Sequence, residues 1–134
     1  MNLDFEFIYF QYPAIALEIA REDEGIYAPA AAILDTGSEL SLFDLSVAND
    51  ISFDLRDAAS LRIRGIGGEI REAKLAMVHL RLMGRPELSA SIEVAFVPEM
   101  EILSGNILGL DVLNFFDLAL SHSKQIGYLG VTDP

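Results

Sequence analysis

Cysteine and tryptophan are absent from the chain, and basic residues are scarce. Without cysteine there are no disulfides, no thiolate metal sites and no cysteine nucleophile. Nine Lys and Arg stand against 21 Asp and Glu, a formal charge of -12. Such a surface repels nucleic acid and anionic membrane, so neither is expected as a partner. The acidity itself reads as solubility. No apolar stretch approaches the length that spans a bilayer. The start, Met1-Asn2-Leu3-Asp4-Phe5-Glu6, lacks a basic n-region and carries acids where a signal peptide is apolar, so cytoplasm is the expected location.

What is present is a run of apolar alternation. At 134 residues the chain is expected to form one domain, 1–134, large enough for a core of its own. Its hydrophobic share of 51% is high enough to leave apolar surface for an oligomer interface. Leu3, Phe5, Phe7 and Tyr9 face one way and Asn2, Asp4 and Glu6 the other, predicting a first strand that Pro13 breaks. Ile15, Leu17 and Ile19 predict a second strand. After the charged turn Arg21-Glu22-Asp23-Glu24-Gly25, a third runs from about Tyr27 toward residue 35.

Ser41-Leu42-Phe43 resumes extended structure, and Asp44 can cap a short helical turn through Val47. Leu61 to Arg64, a Gly65-Ile66-Gly67-Gly68 turn and Glu69 to Met83 read as a long hairpin. Ala90, Ile92, Val94 and Phe96 alternate with Ser89, Ser91, Glu93 and Ala95 in a strand ended by Pro98. A helix is expected from Leu110 to about Phe116, followed by strands Asp117 to His122 and Gln125 to Leu129. Many short strands with one late helix predict an all-β domain, closed or sandwiched.

Asp35-Thr36-Gly37-Ser38 ends the apolar run Ala30-Ala31-Ala32-Ile33-Leu34 and occurs once. A carboxylate where a buried strand breaks into a glycine turn is costly without a group to share its proton or charge. A second copy from another chain is the best candidate. Alone the tripeptide is a weak signal, since Asp and Gly are ordinary turn formers. Its company raises the signal: Leu40 and Ser41-Leu42-Phe43 follow, then the glycine-rich hairpin tip, then Ile107-Leu108-Gly109-Leu110-Asp111-Val112-Leu113.

These three blocks, in this order, resemble the retropepsin-like aspartic peptidases, and the resemblance spans nearly the whole chain. The hairpin tip looks like that of viral members, and the Leu108 to Leu113 segment with a hairpin after it looks closer to cellular ones. Viral enzymes typically carry an Arg where Leu110 stands. The resemblance implies a closed acid-protease-like β barrel with a flap hairpin and one short C-terminal helix. It implies a homodimer whose two Asp35 residues hold one proton between them, activate a water and protonate the scissile amide. Thr36 would brace the two turns across the dimer. Gly37 would permit close backbone approach, and the Gly37 amide and Ser38 hydroxyl would donate to the carboxylate, which predicts an acid-shifted activity profile.

Gly65, Ile66, Gly67 and Gly68 would form a flap over an extended peptide or protein substrate. Ile107, Leu108 and Gly109 would pack behind the catalytic turn, and Val97, Ile107 and Ile66 serve equally as substrate walls or as core. The terminal strands, Phe5 to Phe10 and Asp117 to Leu129, are the expected interface. No cofactor and no metal are called for. His79 and His122 read as structural or surface residues, Glu22-Asp23-Glu24 as a solvated turn, and Asp111 as a residue that merely suits the start of its helix. The leading expectation is an endopeptidase. The alternatives are a catalytically silent dimer that binds extended peptide segments, or an unrelated small barrel with a coincidental motif.

Overall fold

The apolar alternation becomes strand wherever one face can be buried. The computed structural model describes residues 5–64, 68–100 and 105–131. In chain order the elements are β1 (Phe5–Ile8), β2 (Ala14–Ala20), β3 (Ala28–Leu34), β4 (Leu42–Asp44), α1 (Leu45–Asp50), β5 (Ala59–Arg64), β6 (Ile70–Leu82), β7 (Arg85–Val97), β8 (Asn106–Leu108), α2 (Leu110–Leu113), β9 (Phe116–Ser121) and β10 (Ile126–Val131).

Six strands close a ring. The order β2-β3-β8-β4-β7-β6 returns to β2 through the pairs Leu17↔Leu82 to Ala20↔His79. Two of its pairings, β3 with β8 and β4 with β7, are parallel. Closure removes the edges that an open sheet of this size would expose. β5 stands outside the ring and pairs with the outer part of β6, forming the expected hairpin. β1, β10 and β9 form a separate antiparallel sheet from the two chain ends.

Ile15, Leu17 and Ile19 of β2 are buried together with Phe43, Val78, Val94, Phe96 and Leu108. The Phe96 ring packs against Phe43 and Phe53, with centroids 6.5 and 6.4 Å away. A smaller cluster of Ala73, Ala95, Val97 and Met100 lies at the root of the hairpin, with Ile63, Leu75 and Ile107 against it.

Several expectations hold in detail. Asp44 caps α1, accepting a hydrogen bond from the Ser46 amide at 2.9 Å, although the helix runs on to Asp50. The β6–β7 turn uses Gly84 at φ +87°, a backbone state that favours glycine. Others are corrected. Ala95 is fully buried despite its place on the polar side of the β7 alternation, because its side chain packs in the cluster of Ala73, Val97 and Met100. β7 begins at Arg85, before the alternation does. The late helix ends at Leu113 with Asn114 as its cap; Phe115 is exposed and Phe116 already belongs to β9. Among the described residues it is also one of two helices. None of them is long and apolar enough to cross a membrane.

Candidate active site

β3 carries Asp35 to the surface on the end of a buried strand. Ala30, Ala32 and Leu34 are buried, and Leu34 donates its amide to Pro13 O at 2.8 Å. Asp35 donates its own amide to Leu108 O at 2.9 Å, so the turn begins bonded to β8. The chain then reverses with Ser38 N to Asp35 O at 3.2 Å. The Gly37 amide donates to Asp35 Oδ1 at 2.9 Å, as expected. The Ser38 hydroxyl does not reach the carboxylate. It donates to Leu40 O at 2.7 Å, a backbone acceptor two residues on that fixes the exit of the turn instead. Asp35 is half-buried while Thr36 and Gly37 are exposed.

The far side of the turn is tied to the segment that opens α2. Leu110 N donates to Ser38 O at 2.8 Å and Asp111 N to Glu39 O at 3.2 Å. Gly109 lies against this loop so closely that a Cβ there would stand 2.5 Å from Leu40 O and 2.6 Å from Ser38 O. Its own φ of -96° is open to any residue, so space alone demands glycine.

Asp111 has more to do than suit a helix start. Its carboxylate accepts the Ser41 amide at 2.9 Å and the Ser41 hydroxyl at 2.6 Å, and Ser41 Oγ accepts the Gly109 amide at 3.0 Å. Ser41 is fully buried. Sequence reading gave Asp111 no role beyond its helix start and left Ser41 in an extended segment, because the two are 70 positions apart and nothing local marks their partnership.

Of the other candidates, Leu108 is buried and Ile107 partly so, paired with Ile33 in the parallel β3–β8 ladder behind the acid. Val97 is buried core. Gly68 is exposed at φ +83°, at the tip end of the hairpin, whereas Gly65, Ile66 and Gly67 lie outside the described residues. Arg71, on the hairpin face that carries Ile63, donates to Pro98 O at 2.8 Å and holds Glu99 at 3.4 Å. His79 is buried, with Nδ1 3.0 Å from Ser91 Oγ and Nε2 3.3 Å from Asp23, tying the charged turn to β6. His122 stacks on Tyr9. Among the described residues no group of acids and histidines could hold a metal ion.

An apolar cavity of about 390 Å³ is lined by Leu34, Leu108, Leu113 and Phe116 among others, but not by Asp35. Asp35 lies outside that cavity, and Phe10 and Tyr12, shortly before the Pro13 whose carbonyl accepts the Leu34 amide, are large exposed apolar side chains. Ile8 on β1 and Leu120 on β9 are exposed as well.

A family model described as aspartyl protease matches residues 22–112, which include the Asp35 turn, the hairpin and Gly109. Among solved structures, a retropepsin-like aspartic protease from Rickettsia conorii superposes with a TM-score of 0.64 at 14% identity, covering 93% of this chain and 97% of that one. EIAV protease in complex with the inhibitor HBY-793 gives 0.58 at 22% identity, over 78% and 86%. The retroviral protease-like domain of Ddi1 from Leishmania major gives 0.57 at 14% identity, over 93% and 97%. No protein of curated function matches the sequence. The six-stranded ring with its outlying hairpin is therefore an acid-protease-like barrel.

Proposed function

The chain belongs to the retropepsin-like aspartyl proteases, and from that premise we propose that it is an endopeptidase acting as a C2 homodimer. The observation that carries the reading is the Asp35 turn: a half-buried carboxylate, oriented by the Gly37 amide, in a turn bonded on both sides to the 108–111 segment. Such rigidity is unneeded for a solvated surface acid. It suits an acid that must meet a second one at fixed distance.

In the dimer, Asp35 and the partner's Asp35 face each other across the two-fold axis. Like charges in contact cannot both ionise cheaply, so the pair holds one proton. The ionised member takes a proton from a bound water, whose oxygen attacks the scissile carbonyl carbon. The protonated member gives its proton to the carbonyl oxygen. Collapse of the tetrahedral species, with proton transfer to the amide nitrogen, releases the amine and regenerates the pair. Thr36, exposed beside the acid, is assigned the brace between the two turns. The hairpin of β5 and β6 adds backbone hydrogen bonds to an extended substrate, and side-chain pockets set preference.

The terminal sheet supplies the dimer seam. Ile8 is 81% and Phe10 84% exposed, and Leu120 of β9 is exposed as well. Burying such side chains is favourable by about 1.5–3 kcal/mol each.

The test is a mixed peptide library incubated with the chain from acidic to neutral pH, alongside Asp35→Asn. Cleavage by the parent and none by the variant is the expected result. Binding of peptides by both, with no cleavage by either, replaces this reading with that of a silent peptide-binding dimer.

A further inference from the structure

We propose that Asp111 is a positioning residue for the Asp35 turn, acting through the buried Ser41. Resting on the peptidase reading only for its kinetic arm, the proposal itself comes from hydrogen-bond geometry. Ser41 has two donors, its amide and its hydroxyl, and both point at Asp111, one at each carboxylate oxygen. The hydroxyl proton is thereby committed, which leaves Ser41 Oγ free to accept the Gly109 amide. The direction of every bond in the chain Gly109 to Ser41 to Asp111 is fixed by a carboxyl group that accepts on both oxygens.

The clamp closes a loop around the acid. Residues 38 and 39 accept from Leu110 and Asp111, residue 41 donates to Asp111, and residue 35 donates to Leu108. The six positions after Asp35 are thus held at both ends by four consecutive positions of one other segment. Nothing else in the described structure bonds to both Ser41 donors at once. With an amide in place of the carboxylate, one of the two buried donors of Ser41 faces an NH2 group instead of an acceptor, and the 38–41 backbone must turn to relieve it. That movement reaches Asp35 through Ser38, whose amide donates to Asp35 O.

The experiment uses Asp111→Asn, Ser41→Ala and the double variant, each compared with the parent. The amide of asparagine keeps the size but cannot accept on both sides. The first readout is amide hydrogen exchange by NMR at Asp35, Gly37 and Ser38, with β7 amides as reference. The expected result is exchange at these three sites faster by about tenfold or more in either single variant. The double variant adds little further, because both changes break one clamp.

The second readout is kinetic: kcat falls on the order of 10- to 100-fold while KM stays within about twofold, since a small misplacement of a reacting group costs rate rather than binding. Unchanged exchange at 35–38 in folded Asp111→Asn overturns the proposal. So does faster exchange spread evenly through the barrel, which is what a merely structural role produces. If Asp111→Asn does not fold, Ser41→Ala is read by the same criteria. If the parent cleaves no peptide, the peptidase reading falls and the exchange data still decide this one.

Discussion

Replacing Gly109 by alanine tests the packing behind the acid most directly. The added Cβ would lie 2.5 Å from Leu40 O, 2.6 Å from Ser38 O and 2.7 Å from Leu40 C, all of them backbone atoms. The shortest distance is about 0.9 Å below the 3.4 Å at which ordinary contact begins. No side-chain rotation can relieve it. The loop must retreat, and in doing so it stretches the 2.8 Å bond from Leu110 N to Ser38 O. Overpacking of this kind costs about 1–3 kcal/mol, and a weakened buried hydrogen bond about 1 kcal/mol more.

For a domain of this size a loss of about 3 kcal/mol lowers Tm by roughly 10 °C. Thermal unfolding followed by circular dichroism measures it, with Gly84→Ala as the control. Gly84 has a φ of +87° and nothing within 4 Å of its Cβ position, so its substitution strains the backbone alone by about 1 kcal/mol. Gly109→Ala should therefore fall well below Gly84→Ala in Tm and lose peptidase activity at temperatures where it is still folded. Equal Tm values for the two variants would refute the crowding argument.

Further outcomes can be checked with similar means. Gly127→Ala should loosen the terminal sheet, because the new Cβ would stand 2.1 Å from the Phe7 ring that lies over it; weaker dimerisation in sedimentation and a lower Tm are expected together. Asn106→Ala should cost about 2 kcal/mol in denaturant unfolding, since Asn106 accepts the Asp44 amide at 2.8 Å and donates to Ala31 O at 3.0 Å, joining strands β4 and β3. Hydrogen bonds from Arg56, side chain first and backbone second, hold the Asp54 carboxylate below its ordinary range. The stability it lends is present above that range and is lost as pH falls through the lowered value. Asp54→Asn should therefore flatten the acid limb of a stability–pH curve slightly, and high salt should erase the difference. Association of two chains of charge -12 should tighten from low to moderate salt and toward mildly acidic pH, read by sedimentation equilibrium.

The strands most legible in the sequence were those with one face in the core and one in water. β2 is the clear case, with Ile15, Leu17 and Ile19 all buried. The Asp44 cap was also legible, because a cap bonds two residues away. β8 was read only as packing, since three residues between Gly105 and Gly109 are too few to alternate. The α2 overshoot arose because Phe116 keeps helical spacing from Leu113 yet is already in β9. Within the site, the acid and its glycines were visible as a motif. Ser41 and Asp111 were not, because their partnership exists only after β3, β4 and β8 have come together.

The hairpin of β5 and β6 has an uneven footing. β6 pairs with β7 from Lys74 onward and with β2 only over 79–82, while Ile70 to Ala73 pair with β5 alone. Beyond Lys74, then, the arm overhangs like a drawbridge, moored among the described residues by the bonds of Arg71 to Pro98 and Glu99 and by Ala73 and Ile63, which share a cluster with Ala95, Val97 and Met100. Lifting it breaks no rung of the ring. Its exposed outer residues, such as Ile70, pair with β5 alone, so a change there leaves every ladder of the ring in place.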